Sequence, residues 1–317
     1  MNKQNKILDV EDILNTYKTK IPIKQLKVIL SRKWFPITSQ ILEEVAYLIG
    51  KVMGDGNLDK NYIARFIGQE KDLTLLKELI ITIFNIESSK LKIRRKEAKG
   101  VSYLLQINDT LFGRLLASLG TPVGNKTKIA FGIPSWITKD KSYSKRFLQA
   151  LLEDELSTIK IEKSSYSVKP RLKLAKEDRL IPNLRLFLTQ IKLMLGQFNV
   201  KCSNISNHAT FKQGQTTREL YLDINRNKEN ILTFAREIGF RINAYKIKCL
   251  NNTIPLLENT KQNRKPFIDK EKIIALRKKS LTIRQISKIV KLNPTSVHRV
   301  IIKNKKKCGG RDLNSSS

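Results

Sequence analysis

The sequence predicts an α+β protein: two tandem αββαββα units related by a pseudo-two-fold axis, followed by a small all-α module. Three observations carry this expectation. First, one order of helix-period and strand-period segments occurs twice between residues 37 and 250. Second, both units close alike, with a helix, a glycine (Gly120, Gly239) and then a lysine six or seven residues on (Lys126, Lys246). Third, the charge is lopsided. The 317 residues hold 61 Lys+Arg against 28 Asp+Glu, a net +33, and the stretch 241–317 alone has 20 against 4. That density marks the C-terminal part as a separate basic module.

The elements follow in chain order. Segments 10–17 and 23–30 have helical spacing and form an N-terminal extension, residues 1–36. The first unit, 37–135, opens on an apolar helix over 41–55 (ILEEVAYLIGKVMGD). Alternation over 62–67 predicts a strand, 72–84 an amphipathic helix, 90–94 and 101–107 strands, and 110–119 a helix. The second unit, 136–250, repeats the order. It has a helix over 147–155, strands over 157–161 and 167–174, a helix over 180–195, strands over 200–205 and 218–224, and a helix over 228–238. Residues 251–266, with Pro255, Pro266 and four asparagines, read as a linker. In the module 267–305 a helix spans 269–279, and Thr282 caps a second over 283–290. Pro294 opens a third over 295–302. The third helix turns Val297, Val300 and Ile301 inward and leaves Thr295, Ser296, His298, Arg299 and Lys303 outward. Residues 306–317 are expected to be a disordered tail.

Composition excludes several classes of function. The histidines are two, His208 and His298, and the cysteines three, Cys202, Cys249 and Cys308; none stands at zinc-ligand spacing. A Ser/His/Asp triad would rest on one isolated histidine. No apolar run reaches the roughly 18–20 residues of a membrane span, and the start lacks a signal peptide's apolar segment. The expected setting is cytoplasmic and nucleoid-associated, and the expected partner of so much positive charge is a polyanion.

The chemistry points to the two apolar helices. Gly50 and Gly54 lie four apart on one helical face, where missing side chains let another backbone approach. Asp55 follows at the helix C-terminus, where the macrodipole favours a cation, and Gly56 stops the helix. The second helix repeats the plan with Ala150 as the small residue and Glu155 as the terminal acid. Side by side, the helices bring Asp55 and Glu155 together, and hard carboxylate oxygens suit Mg²⁺ and phosphodiester hydrolysis.

At these residues the sequence resembles the LAGLIDADG homing endonucleases. AYLIGKVMGDGNL is similar to the archaeal-type form of their motif, and FLQALLEDELS to its second copy, the resemblance covering roughly 37–250. It implies a monomeric two-repeat endonuclease whose two four-stranded sheets form a saddle on double-stranded DNA. By it, Asp55 and Glu155 are metal-binding acids for Mg²⁺, with Mn²⁺ as the alternative. Lys126 or Lys128, with Lys246, stabilise charge near the scissile phosphate, and Gln69 supports a metal-bound water. The second copy departs from the family pattern. Asp154 stands where the family has a small packing residue and Leu156 where it has Gly, so Asp154 either points off the interface or is itself the ligand. The stretch LTIRQISKIVKLNPTSVHRVI resembles the resolvase type of helix-turn-helix. Two alternatives stay open: a WhiA-like regulator that binds without cutting, and a maturase acting on intron RNA.

Overall fold

The computed structural model of the chain describes residues 39–97, 101–161, 170–207, 217–259, 270–290, 292 and 294–308. The N-terminal extension and the end of the tail lie outside them. The chain divides into two compact units, 1–258 and 259–317.

The first unit is mixed α+β. It begins α1 (Ser39–Met53), β1 (Asn57–Leu58), β2 (Ala64–Gly68), α2 (Glu70–Phe84), β3 (Leu91–Glu97), β4 (Val101–Ile107), α3 (Thr110–Ser118). The second half follows as α4 (Ser135–Lys139), α5 (Lys141–Glu155), β5 (Arg171–Glu177), α6 (Ile181–Gln197), β6 (Ser206–Asn207), β7 (Thr217–Asp223), α7 (Lys228–Glu237), α8 (Ala244–Asn259). Both sheets are antiparallel, in the orders β1-β2-β4-β3 and β5-β7-β6. α1 and α5 pack along their length, with Val45, Ala46, Tyr47, Leu48 and Ile49 of one and Phe147, Leu148, Ala150, Leu151 and Leu152 of the other wholly buried.

Local chemistry sets the boundaries. The Asp140 carboxylate accepts from the backbone of Ser142 and Tyr143 at 2.8 and 3.0 Å, capping α5. Asp109 and Asn227 do the same for α3 and α7. In α2, Leu73, Leu76, Ile80 and Phe84 form the buried stripe, and Asn85 ends the helix at φ 48°.

Three expectations are corrected. Residues 157–161 form no strand, the nearest bridge being Leu156 to Leu172, and 200–205 make only the single bridge Cys202 to Ile224, so among the described residues the second sheet has three strands. Side chains have captured the backbone groups that a ladder needs. The Asn230 amide binds both N–H and C=O of Lys201, and the Thr253 hydroxyl donates to the Ile159 carbonyl. Of the expected linker 251–266, residues 251–259 are helical, α8 running to Asn259 through Pro255, and 260–266 lie outside the described residues. Burial of Leu250 and Thr253, with Ile254 and Leu257 against the core, outweighs the backbone bond that proline removes. α4 was not expected.

The second unit is α9 (Lys270–Lys278), α10 (Ile283–Val290) and α11 (Pro294–Cys308) around Ile273, Ile286, Leu292, Val297 and Ile301. α11 carries through 306–308, the start of the expected tail. Thr282 and Gln285 form a reciprocal capping box: Thr282 N donates to Gln285 Oε1 at 2.8 Å, and Gln285 N to Thr282 Oγ1 at 3.3 Å.

Candidate active site at the paired helix ends

The site is built where α1 and α5 run out together. A Cβ placed on Gly50 would lie 2.5 Å from the Phe147 carbonyl oxygen and 2.8 Å from Ala150 Cβ. On Gly54 it would lie 2.6 Å from Asp154 Oδ2. The helices therefore touch backbone to backbone, and residues at matching positions of the two halves (50 with 150, 54 with 154) meet.

Beyond the contact stand the terminal acids. Asp55 is exposed, and its N–H donates to Asp154 Oδ2 at 3.2 Å. Glu155 is part-buried, and burial followed by the Asp55 charge raises its carboxyl to about 7. The two acids thus feel one another. They open on different hollows. Asp55 lines one of about 210 Å³ with Gln69, Asp72, Asp154 and Asn243. Glu155 lines another of about 310 Å³ with Lys126, Lys176, Phe131 and Phe187.

The two lysines occupy equivalent places. Lys126 Nζ donates to the carbonyls of Val52, at 2.8 Å, and Gly54, at the end of α1. Lys246 Nζ donates to those of Leu152, at 3.3 Å, Asp154, at 3.4 Å, and Leu156, at the end of α5. Each neutralises the negative end of one helix and satisfies carbonyls left over by the helix. Burial lowers the pKa of both, with Glu155 and Asp55 opposing it at Lys126. Lys128 is elsewhere, 4.0 Å from Glu177. On α11, Thr295, His298 and Arg299 are exposed and Ser296 half-exposed; the Lys303 side chain lies outside the described residues.

Asp154 does not point off the interface. Its side chain is 6% exposed, sits against Gly54, and forms an ion pair with Lys51, itself 11% exposed. Burial raises Asp154 to about 6; burial works against charged Lys51 too, but Asp154 and Glu153 prevail and raise its pKa. Glu153 is fully buried. It accepts from Tyr47 Oη at 2.5 Å and from the backbone of Arg241 and Ile242, while Arg241 grips Glu44 with both terminal nitrogens. Sequence reasoning missed this network, and missed Lys176, buried beside Glu155's hollow and pushed down to about 8 by burial. A signal existed: Lys51 is the one cation in an apolar run, and Glu153-Asp154-Glu155 is an acidic triplet in a basic chain. Among the described residues no group of three or more His, Cys, Asp and Glu is placed to hold a metal, and no helix is long and apolar enough to cross a membrane.

No family model matches the chain. It is 32% identical over 251 residues to the DNA-directed RNA polymerase subunit Rpo1N of Methanocaldococcus jannaschii, covering 73% of this chain and 18% of that one. It is 26% identical over 212 residues to the tRNA-splicing ligase RtcB of Pyrococcus abyssi, covering 64% and 22%. The chain thus spans about a fifth of the length of these curated relatives. Among solved structures it is similar to the homing endonuclease I-WcaI bound to its DNA recognition sequence, with 15% identity, 74% and 97% coverage and a TM-score of 0.42. It is also similar to the N-terminal LAGLIDADG domain of DUF199/WhiA, with 17% identity, 68% and 90% coverage and a TM-score of 0.40.

Proposed function

We propose that the chain is a site-specific, metal-dependent homing endonuclease of the LAGLIDADG type, hydrolysing phosphodiester bonds in both strands of duplex DNA. The observation that carries this is the pair Asp55 and Glu155, acids ending two helices in backbone contact, each helix end held by a lysine. The donor set fits a hard divalent cation. Two carboxylates, Asp55 and Glu155, are enough for Mg²⁺, which keeps waters and substrate phosphate oxygens as its other ligands. The carboxyl of Glu155 is raised by burial and by the charge of Asp55, a repulsion that a cation shared by the two acids relieves. Asp55 and Glu155 would hold the ion, which when bound polarises the phosphate and lowers the pKa of its water. Lys126 and Lys246 fix where the acids stand and keep positive charge beside the phosphate path. The exposed Thr295, His298 and Arg299 of α11 give the basic second unit a helix-turn-helix face for DNA.

The relatives support a mobile segment. An RNA polymerase subunit and a tRNA-splicing ligase have unrelated tasks, yet each shares a stretch of about a fifth of its length with this chain. A stretch that recurs in such different proteins behaves as a passenger rather than as part of either activity.

One observation favours a second reading, a regulator that binds DNA without cutting. Lys126 and Lys246 are both engaged by helix carbonyls, and Asp154 with Lys51 fills the interface beside Asp55. One experiment separates the two: a plasmid library incubated with the protein in Mg²⁺, in Mn²⁺ and in EDTA. The endonuclease reading expects double-strand breaks from wild type with metal, and none from Asp55→Asn or Glu155→Gln. DNA binding with no cut product under any metal overturns it.

A further inference from the structure

The two sheets carry opposite electrostatics on the faces turned away from the helices. In the first sheet Ala64, Phe66, Leu91, Leu105 and Ile107 are buried, which leaves Arg65, Lys92, Arg94, Lys96 and Gln106 on the other face. No acid of the described residues lies within ion-pair distance of Lys92, Arg94 or Lys96; Arg65 pairs with Asp59 at 2.7 Å. Arg65 and Gln106 stand opposite each other across one ladder and Lys92 and Gln106 across the next. Gln106 accepts from Arg94 at 2.9 Å and from Arg65 at 3.4 Å, which aims its amide along the sheet.

The second sheet buries Leu172, Leu220 and Leu222 and turns Arg171, Lys173 and Glu177 outward with Glu219, Tyr221 and Asp223. Here the cations are already matched. Arg171 holds Asp223 with two bonds, at 2.7 and 2.9 Å, and stacks on Tyr221 at 4.0 Å. Lys173 pairs with Glu219 at 3.1 Å, and at the strand end Arg218 bonds Asp178 at 2.8 Å. The strands of the first sheet hold five cations and one acid, those of the second four cations and three acids.

We infer that the two halves meet duplex DNA unequally: the unpaired face of Lys92, Arg94 and Lys96 supplies the salt-dependent grip on phosphates, and the acid-matched second sheet adds little of it. This rests on the proposed DNA-binding function. A cation with no acid partner releases a counterion when it meets a phosphate, worth about 0.9 in the slope of log K against log salt. A cation held by a carboxylate must first exchange one anion for another, and its release term largely cancels. The second sheet is thereby left to discriminate. Its fixed carboxylates repel phosphate and accept from the amino group of cytosine, so they reject misplaced backbone and favour particular bases.

The test uses the full chain, in EDTA to prevent cutting, and a fluorescent duplex of about 30 mixed-sequence base pairs, titrated between about 50 and 200 mM salt. Replacing Lys92, Arg94 and Lys96 together by Ala should lower the slope by about 2.7, three contacts at about 0.9 each. Replacing Arg171, Lys173 and Arg218 together by Ala should lower it by less than about 0.9. Glu219→Gln with Asp223→Asn, which frees Lys173 and Arg171, should raise it by up to about 1.8. All these positions are at the surface, and a thermal melt verifies the fold of each variant. Equal slope losses from the two triple variants overturn the inference alone. A wild-type chain that does not bind the duplex overturns the functional reading and this inference with it.

Discussion

Lys51→Met removes the ammonium that pairs inside the α1–α5 interface and leaves its methylene packing nearly intact. Lys51 pairs with Asp154 and lies 3.7 Å from Glu153, whose side chain is 0% exposed. Breaking a buried pair strands the remaining charge at a cost of about 3–5 kcal/mol, more than the pair itself contributes against a neutral replacement. For a unit of this size each kcal/mol moves the melting temperature by about 2–4 °C, so the loss is roughly 6–20 °C. Asp154→Asn alone leaves Lys51 with Glu153 and costs less. The double variant strands neither Lys51 nor Asp154, since Glu153 keeps Tyr47 and two backbone N–H donors, and it should recover most of the loss. The assay is urea unfolding of all four proteins at about pH 8, where Asp154 is ionised. Because burial holds Asp154 at about 6, the Lys51→Met penalty should shrink at about pH 5, where the carboxyl takes up a proton. A single-variant loss below about 1 kcal/mol, or additive effects in the double variant, refutes the reasoning.

Three further outcomes are expected. The raised carboxyl of Glu155 binds a proton in the folded protein that the unfolded chain has released, so metal-free stability is full below about pH 4.5 and falls as pH rises to about 7. Glu155→Gln should therefore melt higher than wild type at about pH 8 in EDTA, by on the order of 2–3 kcal/mol, and a difference that does not change with pH sinks this account. Gly50→Ala gains about 1 kcal/mol of helix propensity but sets a methyl 2.5 Å from a backbone oxygen that cannot move aside. Overpacking, at about 1–3 kcal/mol, should win, and a melting temperature at or above wild type contradicts the close contact. Thr282→Ala removes one arm of a capping box and should lower hydrogen-exchange protection of α10 and α11 by about 1 kcal/mol while leaving α1 and α5 unchanged.

The sequence made the helix pair legible because its signal is local and repeated. Gly50, Gly54 and Ala150 mark a face, and an acid at each helix end stands against the local field. The strands of the second half were less legible. Residues 157–161 and 200–205 alternate as strands do, but Thr253 and Asn230, distant in sequence, take the backbone groups that pairing needs. Pro255 misled for a related reason, since the burial that carries α8 through it comes from residues of other elements. Lys51, Glu153 and Arg241 were invisible as a group: their partners lie 88–197 residues away, and only the packing of α1 on α5 joins them.

That packing also explains why the two halves are no longer interchangeable. Glycines at 50 and 54 face Ala150 and Asp154 across the pseudo-dyad, and the acid in the second helix is met by Lys51 in the first. The symmetric place of Lys51 is held by Leu151, and that of Glu153 by Met53. Two copies of α5 packed in this way would set Asp154 against Asp154 beside two buried glutamates with no cation. Two copies of α1 would bury two ammonium groups without an acid and leave a gap between facing glycines. Each pairing carries uncompensated buried charge, which costs several kcal/mol per ion. The capping lysines kept the symmetry that the interface lost, Lys126 serving α1 as Lys246 serves α5. What stayed equivalent is the support beneath the two terminal acids; what diverged is the lock that holds one half to the other. Such a division fits the proposed function, in which both acids stand in register at one site.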